Sequence, residues 1–345
     1  MLCPRAATIL NSIAKQYIPR ALPVSSTSVA NDCGLTISSA TIRNEMTRLE
    51  EEGYIFRPHH AAGSIPSDRG YRYYVGTLKD IELPLTERRL ISHLFHQVEK
   101  ELEEWLNLAV TLIAQRVQGV AIATVPKSMA SQLRHFELVL LHDNLALLVL
   151  VFRGAKVRRQ LVTFGHVMSQ TDLAVMANKL NDAYSELTGL QIRAKKMMLS
   201  PVEQQVTDCL LEMMMAEDKQ EHEELYIDGL HFLLSQPEFS SGQRMLGLME
   251  LIEQRRLAKV TVPEGFEGSG VRVIIGQENK AEVIQDLSVI ISRYGLPDEA
   301  VGTIGVIGPT RMPYAHAIST VGYLSLLMSG LVAELYGGRS SEMSS

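Results

Sequence analysis

Apolar side chains recur every three or four residues in the first part of the chain, which is the spacing of a helix that buries one face. The pattern predicts a first helix over residues 6–18, followed by a break at Pro23. A second, short helix is predicted over residues 26–33, capped by Ser26, and a third over residues 38–52. The buried stripe of the third helix is predicted to consist of Ile42, Met46 and Leu49.

The third predicted helix carries hydrogen-bonding side chains opposite its apolar stripe. Ser38 or Ser39 can cap its N-terminus, and Gly53 suits the left-handed position after a last turn. Amide, hydroxyl and guanidinium groups on such a face can read base edges or bind phosphates in a major groove. The sequence therefore predicts a recognition helix. Its candidate DNA-contacting residues are Ser38, Ser39, Ala40, Thr41, Arg43, Asn44, Thr47 and Arg48.

Two short extended runs follow this helix, over residues 54–58 and 64–67, and residues 59–63 form a loop between them. Together with the helices they predict a winged helix-turn-helix, in which the strands and the loop are the wing. A small helical bundle without a DNA role is the alternative, and the wing argues against it. The candidate DNA-contacting residues of the wing are Arg57, His59 and His60.

The middle of the chain changes from a helical to an extended pattern. Residues 79–85 are predicted to be a linker, and residues 86–117 one long helix. An extended run at residues 120–125 precedes three more, which the turn signals Asp143-Asn144 and Arg153-Gly154 separate, as in an antiparallel meander. The second strand of the meander is apolar on both faces and therefore needs cover on both. The meander strands are predicted over residues 136–141, 145–152 and 157–164.

Helical and extended patterns alternate in the rest of the chain. The predicted helices cover residues 171–187, 201–215, 245–256 and 313–336, and the predicted strands cover residues 225–228, 271–276, 287–292 and 302–307. The apolar run of the last helix contains four Ser and Thr side chains and ends at Glu334, so a buried helix is predicted and not a membrane span. Residues 337–345 are predicted to fray.

Composition indicates a cytoplasmic protein of two or three domains. The 345 residues are enough for a sizeable core. The three cysteines lie far apart and form no Cys-x-x-Cys pair, which argues against a disulfide framework and favours a reducing compartment. The first residues do not show the pattern of a signal peptide.

Charge is distributed unevenly along the chain. Residues 1–80 contain nine Lys and Arg side chains against seven Asp and Glu, a net charge of +2, whereas the whole chain carries −6. A basic first segment on an acidic remainder suits a protein that binds DNA through that segment alone.

Motifs that would indicate catalysis or a bound cofactor are not convincing in this sequence. His93 and His96 have helical spacing, but no third strong ligand lies near them, so no metal site is predicted. Gly268-Ser269-Gly270 precedes a predicted strand, whereas a nucleotide-binding loop follows a strand and opens a helix. We find no nucleophile elbow, no phosphate loop and no acid pair in a catalytic context. Neither an enzyme nor a cofactor is predicted.

Several runs near both ends of the chain stand out as motifs. They include Ser39-Ala40-Thr41-Ile42-Arg43-Asn44, Gly53-Tyr54, Ile65-Pro66, Gly70-Tyr71-Arg72-Tyr73-Tyr74-Val75, and Ile307-Gly308-Pro309-Thr310-Arg311-Met312 with Tyr314. These motifs resemble those of one known family, the heat-inducible transcription repressors HrcA. The resemblance covers nearly the whole chain and is densest over residues 38–75 and 302–330.

Two positions depart from the family pattern. Ser25 stands where the family usually has glycine. Ser64 stands where the family usually has arginine in the wing, so a contact of the wing tip with phosphate or the minor groove is in question at this position.

The resemblance implies an α+β multidomain fold. It would consist of an N-terminal winged helix-turn-helix and a GAF-like α/β domain that is interrupted by an inserted α+β dimerising domain. The DNA-binding domain would cover residues 1–80, the GAF-like domain residues 81–120 and 225–340, and the insertion residues 121–224.

The resemblance also implies a function and its partners. The protein would be a homodimeric negative regulator of chaperone operons of the groE and dnaK type. It would bind the CIRCE inverted repeat in double-stranded DNA and leave it on heat shock. The chaperonin GroEL would maintain the active repressor.

Two further groups of residues are candidates for dimerisation or for structure. Arg311 lies between a predicted strand and the last helix, where it can bind a carbonyl group or join an interdomain or dimer contact. Clustered methionines in the predicted insertion suit either an adaptable core or a hydrophobic dimer seam. These methionines are Met197, Met198, Met213, Met214 and Met215.

Two other functions stay open. A small-molecule-responsive repressor would use the GAF-like domain as its sensor, although the sequence shows no convergent polar pocket. A structural adaptor would use the helix-turn-helix for protein contacts. Arg43 and Asn44, opposite the apolar stripe, argue against the adaptor.

Overall fold

A computed structural model describes most of the chain, which is a mixture of helices and strands and divides into two compact units. The first unit comprises Met1–Pro126, Glu224–Gly295 and Gly302–Val332, and the second comprises Lys127–Glu223, Leu296–Val301 and Ala333–Ser345. The residues described are 2–34, 38–59, 62–78, 81–98, 101–126, 131–153, 157–218, 225–239, 270–296 and 300–335, with four isolated positions at 246, 249, 250 and 261.

The described helices and strands are numbered along the chain. They are α1 (Pro4–Arg20), α2 (Ser26–Asp32), α3 (Ser39–Glu51), β1 (Ile55–Phe56), β2 (Ile65–Pro66), α4 (Asp68–Thr77), α5 (Leu85–Gln97), α6 (Leu102–Val117), β3 (Val120–Thr124), β4 (Leu133–His142), β5 (Leu145–Phe152), β6 (Val157–Thr163), α7 (Gln170–Tyr184), α8 (Gly189–Ala194), α9 (Pro201–Asp218), β7 (Leu225–Asp228), α10 (Leu230–Leu234), β8 (Val271–Ile275), β9 (Leu287–Leu296), β10 (Ala300–Pro309) and α11 (Tyr314–Leu335). The predicted helix at residues 245–256 and the predicted frayed end fall almost entirely outside the described residues.

The first 78 residues, which we call the head, consist of α1 to α4 and the short antiparallel pair of β1 and β2. The predicted third helix is confirmed as α3. The hydroxyl of Ser38 accepts a hydrogen bond from the Thr41 amide at 3.2 Å, and Gly53 has the left-handed φ of +74° after the last turn. The predicted stripe is buried against α1 and α2, with each of its three side chains at most 3% exposed.

The cap of α2 differs from the prediction by one residue. Ser25, and not Ser26, caps the helix, because its hydroxyl accepts a hydrogen bond from the Ser28 amide at 3.1 Å. A glycine at this position has no side chain to offer that amide. The departure from the family pattern therefore supplies a helix cap.

The second departure lies directly before β2, at the loop end of the strand pair. Ser64 is fully buried, and its backbone exchanges two hydrogen bonds of 2.9 Å with Val24. The side chain at this position therefore points into the protein. The buried Ser64 side chain does not offer the contact with phosphate or the minor groove that the departure put in question.

The long helix predicted over residues 86–117 is two helices, α5 and α6. The backbone is extended at Val98, which follows α5, and again at Glu101, which precedes α6. The apolar spacing continues on both sides of this break because each helix buries one face. Periodicity alone therefore did not reveal the break.

The rest of the first unit, which we call the body, is built on a five-stranded sheet in the order β7-β3-β10-β9-β8. The pairs β7–β3, β3–β10 and β8–β9 are antiparallel. Ala121 of β3 pairs with Asp228 of β7 on one side and with Val306 of β10 on the other. The boundary predicted at residue 121 is therefore wrong, since it cuts a strand that hydrogen bonds hold inside the body sheet.

The last helix, α11, packs against β9 of the body sheet. The hydroxyl of Ser292 donates a hydrogen bond to that of Ser325 at 3.1 Å, and Ser329 accepts one from the Gly295 amide at 3.0 Å. This helix is long and apolar enough to cross a membrane by length and composition. Its inner face nevertheless bonds to a strand, as the inner face of a core helix does, and the prediction of a buried helix is confirmed for that face.

The second unit contains the predicted meander, and its strands β4, β5 and β6 are antiparallel. Residues of β5 alternate between buried and half-buried, so the helices cover only one face of the sheet. We expected cover on both faces of β5, and the single chain provides it on one face. The half-buried side chains of β5 are Leu145, Leu147, Val149 and Val151.

Side-chain amides from α7 occupy the free edge of β4. Asn181 accepts a hydrogen bond from the Phe136 amide at 3.0 Å and donates one to the Phe136 carbonyl at 2.8 Å. Gln170 does the same farther along, with the amide of Leu140 and the carbonyl of Leu138. This edge is therefore not available for pairing with another strand.

Candidate nucleic-acid interface

The predicted DNA-contacting residues of α3 lie together on its outer face. Only Thr41 is half-buried, because it packs beside the cap of the helix. The hydroxyls of Ser38 and Thr41 lie 3.0 Å apart. These two hydroxyls already have partners within the helix cap. The exposed residues of the face are Ser38, Ser39, Ala40, Arg43, Asn44, Thr47 and Arg48.

Arg43 and Asn44 are long polar side chains of this face. In the described part of the chain, neither side chain forms a hydrogen bond or an ion pair. Arg48 differs, because its Nε donates to the Glu52 carboxylate at 2.8 Å, and this hydrogen bond raises the pKa of the guanidinium. Arg43 and Asn44 are therefore available to an external partner without breaking a bond.

Arg57 connects the strand pair to α3. Its Nε lies 3.4 Å from a carboxylate oxygen of Glu50, and its Nη2 donates to the Thr47 hydroxyl at 3.4 Å. The Thr47 hydroxyl also donates to the carbonyl of Arg43 at 3.1 Å. Arg57 is thus held over the outer face of α3. His59 is exposed in the loop, and His60 lies outside the described residues.

Two arginines that the sequence patterns did not single out position α3 within the head. Arg5 of α1 forms an ion pair with Glu45, whose side chain is 9% exposed. Arg69 donates to the Glu52 carbonyl at 2.7 Å, and its guanidinium lies 4.4 Å from the centre of the Tyr54 ring. Arg5 and Glu45 are 40 residues apart, and no local spacing rule connects such a pair.

Arg311 lies at the end of β10 and contacts α1 of the head. Its Nη1 donates to the Ile18 carbonyl at 3.2 Å, and its Nε donates to Glu238 at 2.5 Å. Its Nη2 donates to Gln236 at 2.5 Å. Arg311 therefore binds a carbonyl and also joins two segments of the first unit, which combines the two roles considered for it.

The predicted methionine seam is not one surface. Met213 and Met214 lie in the core of the second unit, with exposures of 6% and 0%, whereas Met198 is 95% exposed. Met197 packs partly buried against that core, and Met215 is half-buried. Consecutive residues of a helix point in different directions, so a run of three cannot all face a partner. A dimer seam at Met213 and Met214 is wrong, and these two residues are structural.

Among the described residues, the candidate metal pair on α5, His93 and His96, is not joined by a third ligand. Among the described residues, no group of three or more His, Cys, Asp and Glu side chains could hold a metal ion. His93 instead lies 2.9 Å from the side-chain nitrogen of Gln97, one turn along the same helix.

Known proteins resemble this chain over nearly its full length. A family model described as the HrcA protein C terminal domain matches residues 103–318. A heat-inducible transcription repressor HrcA from Dehalococcoides mccartyi is 58% identical over 337 residues, covering 98% of each protein. One from Roseiflexus castenholzii is 38% identical, covering 97% of this chain and 96% of the relative. A crystal structure titled as that of a hypothetical protein covers 97% of this chain and 98% of its own, with a TM-score of 0.58 at 21% identity, which supports the fold alone.

The relatives are repressors of transcription and not enzymes, so this chain falls into the class of transcription regulators. An exposed helix face with partner-free Arg43 and Asn44 suits a protein of that class. The chain belongs to the HrcA family of heat-inducible transcription repressors.

Proposed function

We propose that this protein represses chaperone operons of the groE and dnaK type by binding the CIRCE inverted repeat as a homodimer. The observation that carries the proposal is the outer face of α3, where Arg43 and Asn44 are exposed and have no partner among the described residues. Arginine pairs well with guanine and asparagine with adenine in a major groove. The head is then a winged helix-turn-helix, and α3 is its recognition helix.

The wing supplies contacts of a different kind. Arg57, held beside Thr47 and Glu50, is poised at the border of the α3 face, where the phosphate backbone runs when a helix enters the groove. His59 extends the same border, and His60 follows it in sequence. Contacts of this kind fix the position of the protein on the duplex and carry no sequence information themselves.

The homodimer in this proposal forms through the outer face of the three-stranded sheet, and not through the methionines. Val139, Leu147 and Leu161 form one row across the three strands. Val139 is 39% exposed and Leu161 is 57% exposed, which is unusual for side chains that form a contiguous apolar row. A second copy of the chain would cover this row.

The neighbouring row on the same face favours a second copy as the occupant. It contains Glu137 on β4, Val149 on β5 and Arg159 on β6. A two-fold axis along β5 places β4 of one copy over β6 of the other, so each acid meets a base. Because amide side chains close the β4 edge, packing on the face is favoured over strand addition at that edge.

Release on heat shock and the role of the chaperonin belong to the same proposal. A repressor whose dimer face is apolar exposes that face as a monomer, and such a surface is bound by chaperonins that capture unfolded clients. GroEL would then return the monomer to the active dimer until unfolded proteins compete for it. This mechanism requires the cytoplasm, where DNA and chaperonin meet.

Footprinting tests the proposal directly. The purified protein, with and without chaperonin, is mixed with promoter fragments of chaperone operons from the source organism. We expect protection of an inverted repeat at low protein concentration and greater protection with chaperonin. Absence of a footprint on every chaperone promoter would overturn the proposed target.

A further inference from the structure

Two of the motifs that carry the family resemblance meet away from the outer face of α3. Tyr71 of α4, in the head, and Tyr314 of α11, in the body, are both buried, and their ring centroids lie 5.7 Å apart. In the described part of the chain, no hydrogen bond or ion pair joins an α3 side chain to the body. We call this contact between head and body, around Tyr71 and Tyr314, the joint. The proposed DNA contacts of α3 do not explain it.

The first polar contact of the joint is a two-pronged ion pair. Arg72 of α4 donates from Nε to one carboxylate oxygen of Glu278 at 2.7 Å and from Nη2 to the other. The same Nη2 donates to the Val273 carbonyl of β8 at 2.7 Å. A guanidinium that binds both oxygens of a carboxylate fixes direction as well as distance.

The body loop after β8 is shaped to receive α4. Glu278 is itself held, because it accepts a hydrogen bond from the Ile275 amide at 2.9 Å. Asp68, at the start of α4, accepts one from the Gln277 amide at 2.9 Å. Gly276 has a φ of +53°, and a Cβ there would lie 2.1 Å from the Asp68 carboxylate. Only glycine leaves room for this close approach.

The second polar contact lies at the end of α1. The carbonyl of Ile18 is in the last turn, where backbone carbonyls lack partners within the helix and a cation is favourable. Arg311 donates to this carbonyl, and Glu238 and Gln236 hold its guanidinium in place. The Arg311 side chain is 12% exposed, so water competes little for these bonds.

We infer that Arg72 and Arg311 are positioning residues for operator binding, which hold the head on the body in one orientation. This inference rests on the proposed function. The buried tyrosines keep head and body in contact, but burial of aromatic rings is only weakly directional. The two arginines set the angle, because they tie two different helices of the head to the body. Arg72 ties α4 to Glu278 and Val273, and Arg311 holds the Ile18 carbonyl of α1.

A fixed angle matters because the operator has two half-sites. In a dimer, the second head binds as an intramolecular event whose effective concentration depends on how well its position matches the DNA. A loose joint spreads the head over many orientations and lowers that effective concentration. Binding of one head to one half-site does not depend on the joint.

The test compares two labelled duplexes, one with the complete CIRCE inverted repeat and one with a single half-site. The variants are Arg72→Glu, Glu278→Arg and the double exchange, in the full-length protein. We expect each single variant to lose about tenfold or more in affinity for the complete repeat, an effect of the size that linkage of two binding events supplies. Affinity and salt dependence on the single half-site should match those of the parent, and the double exchange should recover most of the loss.

Arg89→Glu is the matched control, because Arg89 is exposed on α5 and its replacement changes the net charge equally. It should bind both duplexes like the parent. Gly276→Ala disturbs the joint from the body side, and we expect it to reproduce the loss on the complete repeat alone. Melting curves of all variants check that the head stays folded.

Results that differ from these expectations would contradict particular parts of the inference. Equal affinity of the parent and the Arg72→Glu variant for the complete repeat would overturn the role of the joint. Equal losses on both duplexes would show that Arg72 acts on the reading of DNA itself, and a double exchange no better than the single variants would show that the pair is not the cause. A parent that binds neither duplex would overturn the proposed function and this inference with it.

Discussion

Arginines on the outer face of the head, where we propose the DNA contacts, differ in what holds them. Arg48 is bound to Glu52, and Arg57 lies beside Glu50 and Thr47, so their positions are set before any ligand arrives. Arg43 has no such restraint and stands next to Asn44. The restrained side chains suit contacts with the regular phosphate backbone, and the unrestrained ones suit base edges, whose donor and acceptor patterns vary.

Arg43→Ala and Asn44→Ala are therefore expected to weaken binding to the CIRCE repeat by about 1–3 kcal/mol each, the usual size of a good base contact. Binding to random duplex should change much less. Fluorescence anisotropy titrations at one salt concentration measure both. Arg89→Ala, which removes an exposed arginine from α5, is the control. Unchanged affinity of both α3 variants for the repeat would remove α3 from the role of recognition helix.

A further prediction concerns two methionines of the second unit, which differ in burial. Met214 is 0% exposed and Met198 is 95% exposed, although both lie in the same unit. Met214→Glu places a charge among apolar side chains, and we expect a loss of more than about 3 kcal/mol in unfolding free energy. Met198→Glu should unfold like the parent. Urea denaturation followed by circular dichroism compares them, and equal midpoints for the two variants would contradict the core position of Met214.

At the scale of elements, the three-stranded sheet has an apolar face that the helices of the single chain do not cover. Helices α7 and α9 cover its inner face and bury every second residue of β5. The outer face retains Val139, Leu147 and Leu161 in one row. In the single chain, only one face of this sheet is packed against helices. Its other face is therefore the one that a partner would bury.

Leu147→Glu should therefore break the homodimer and leave the fold of the single chain intact, because Leu147 lies on the outer face of the central strand. We expect sedimentation to report a folded monomer and operator affinity to fall towards that of one half-site. Leu190→Glu is the control, since Leu190 is 78% exposed on α8, which contacts α9. A Leu147→Glu protein that sediments as a dimer would exclude this face as the interface.

For the whole molecule, the proposal requires that the heads of the two chains bind the two half-sites of one operator at the same time. In this proposal the joint orients each head on its body, and the homodimer links the two chains, so that one duplex meets both heads. A symmetric protein of this type reads a symmetric site on one face of the duplex.

Inserting about 5 base pairs, half a helical turn, between the half-sites moves the second one to the opposite face of the DNA. We expect affinity to fall to that of a single half-site, because the second head no longer reaches its site. Insertion of a whole turn, about 10 base pairs, is the control for length. Gel-shift titration measures all three duplexes. If the half-turn insertion leaves affinity unchanged, the two heads are not rigidly coupled.

The sequence by itself determined the elements of the head and the residues of its outer face. Local signals were sufficient there: apolar side chains at helical spacing for α3, a serine before its first turn, and a glycine after its last. Such signals act over four or five residues, and each was confirmed in the structure. The family resemblance then added the function class, which the relatives confirm.

Only the tertiary structure decided what lies far apart in the chain. It paired Arg5 with Glu45 and Arg72 with Glu278, and it divided the methionines between core and surface. It also placed β3 in the body sheet, although β7, its partner there, follows about one hundred residues later. Periodicity shows which face of a helix or strand is apolar, but it does not show which distant segment packs against that face. Packing between segments depends on the whole arrangement of the chain and not on local spacing.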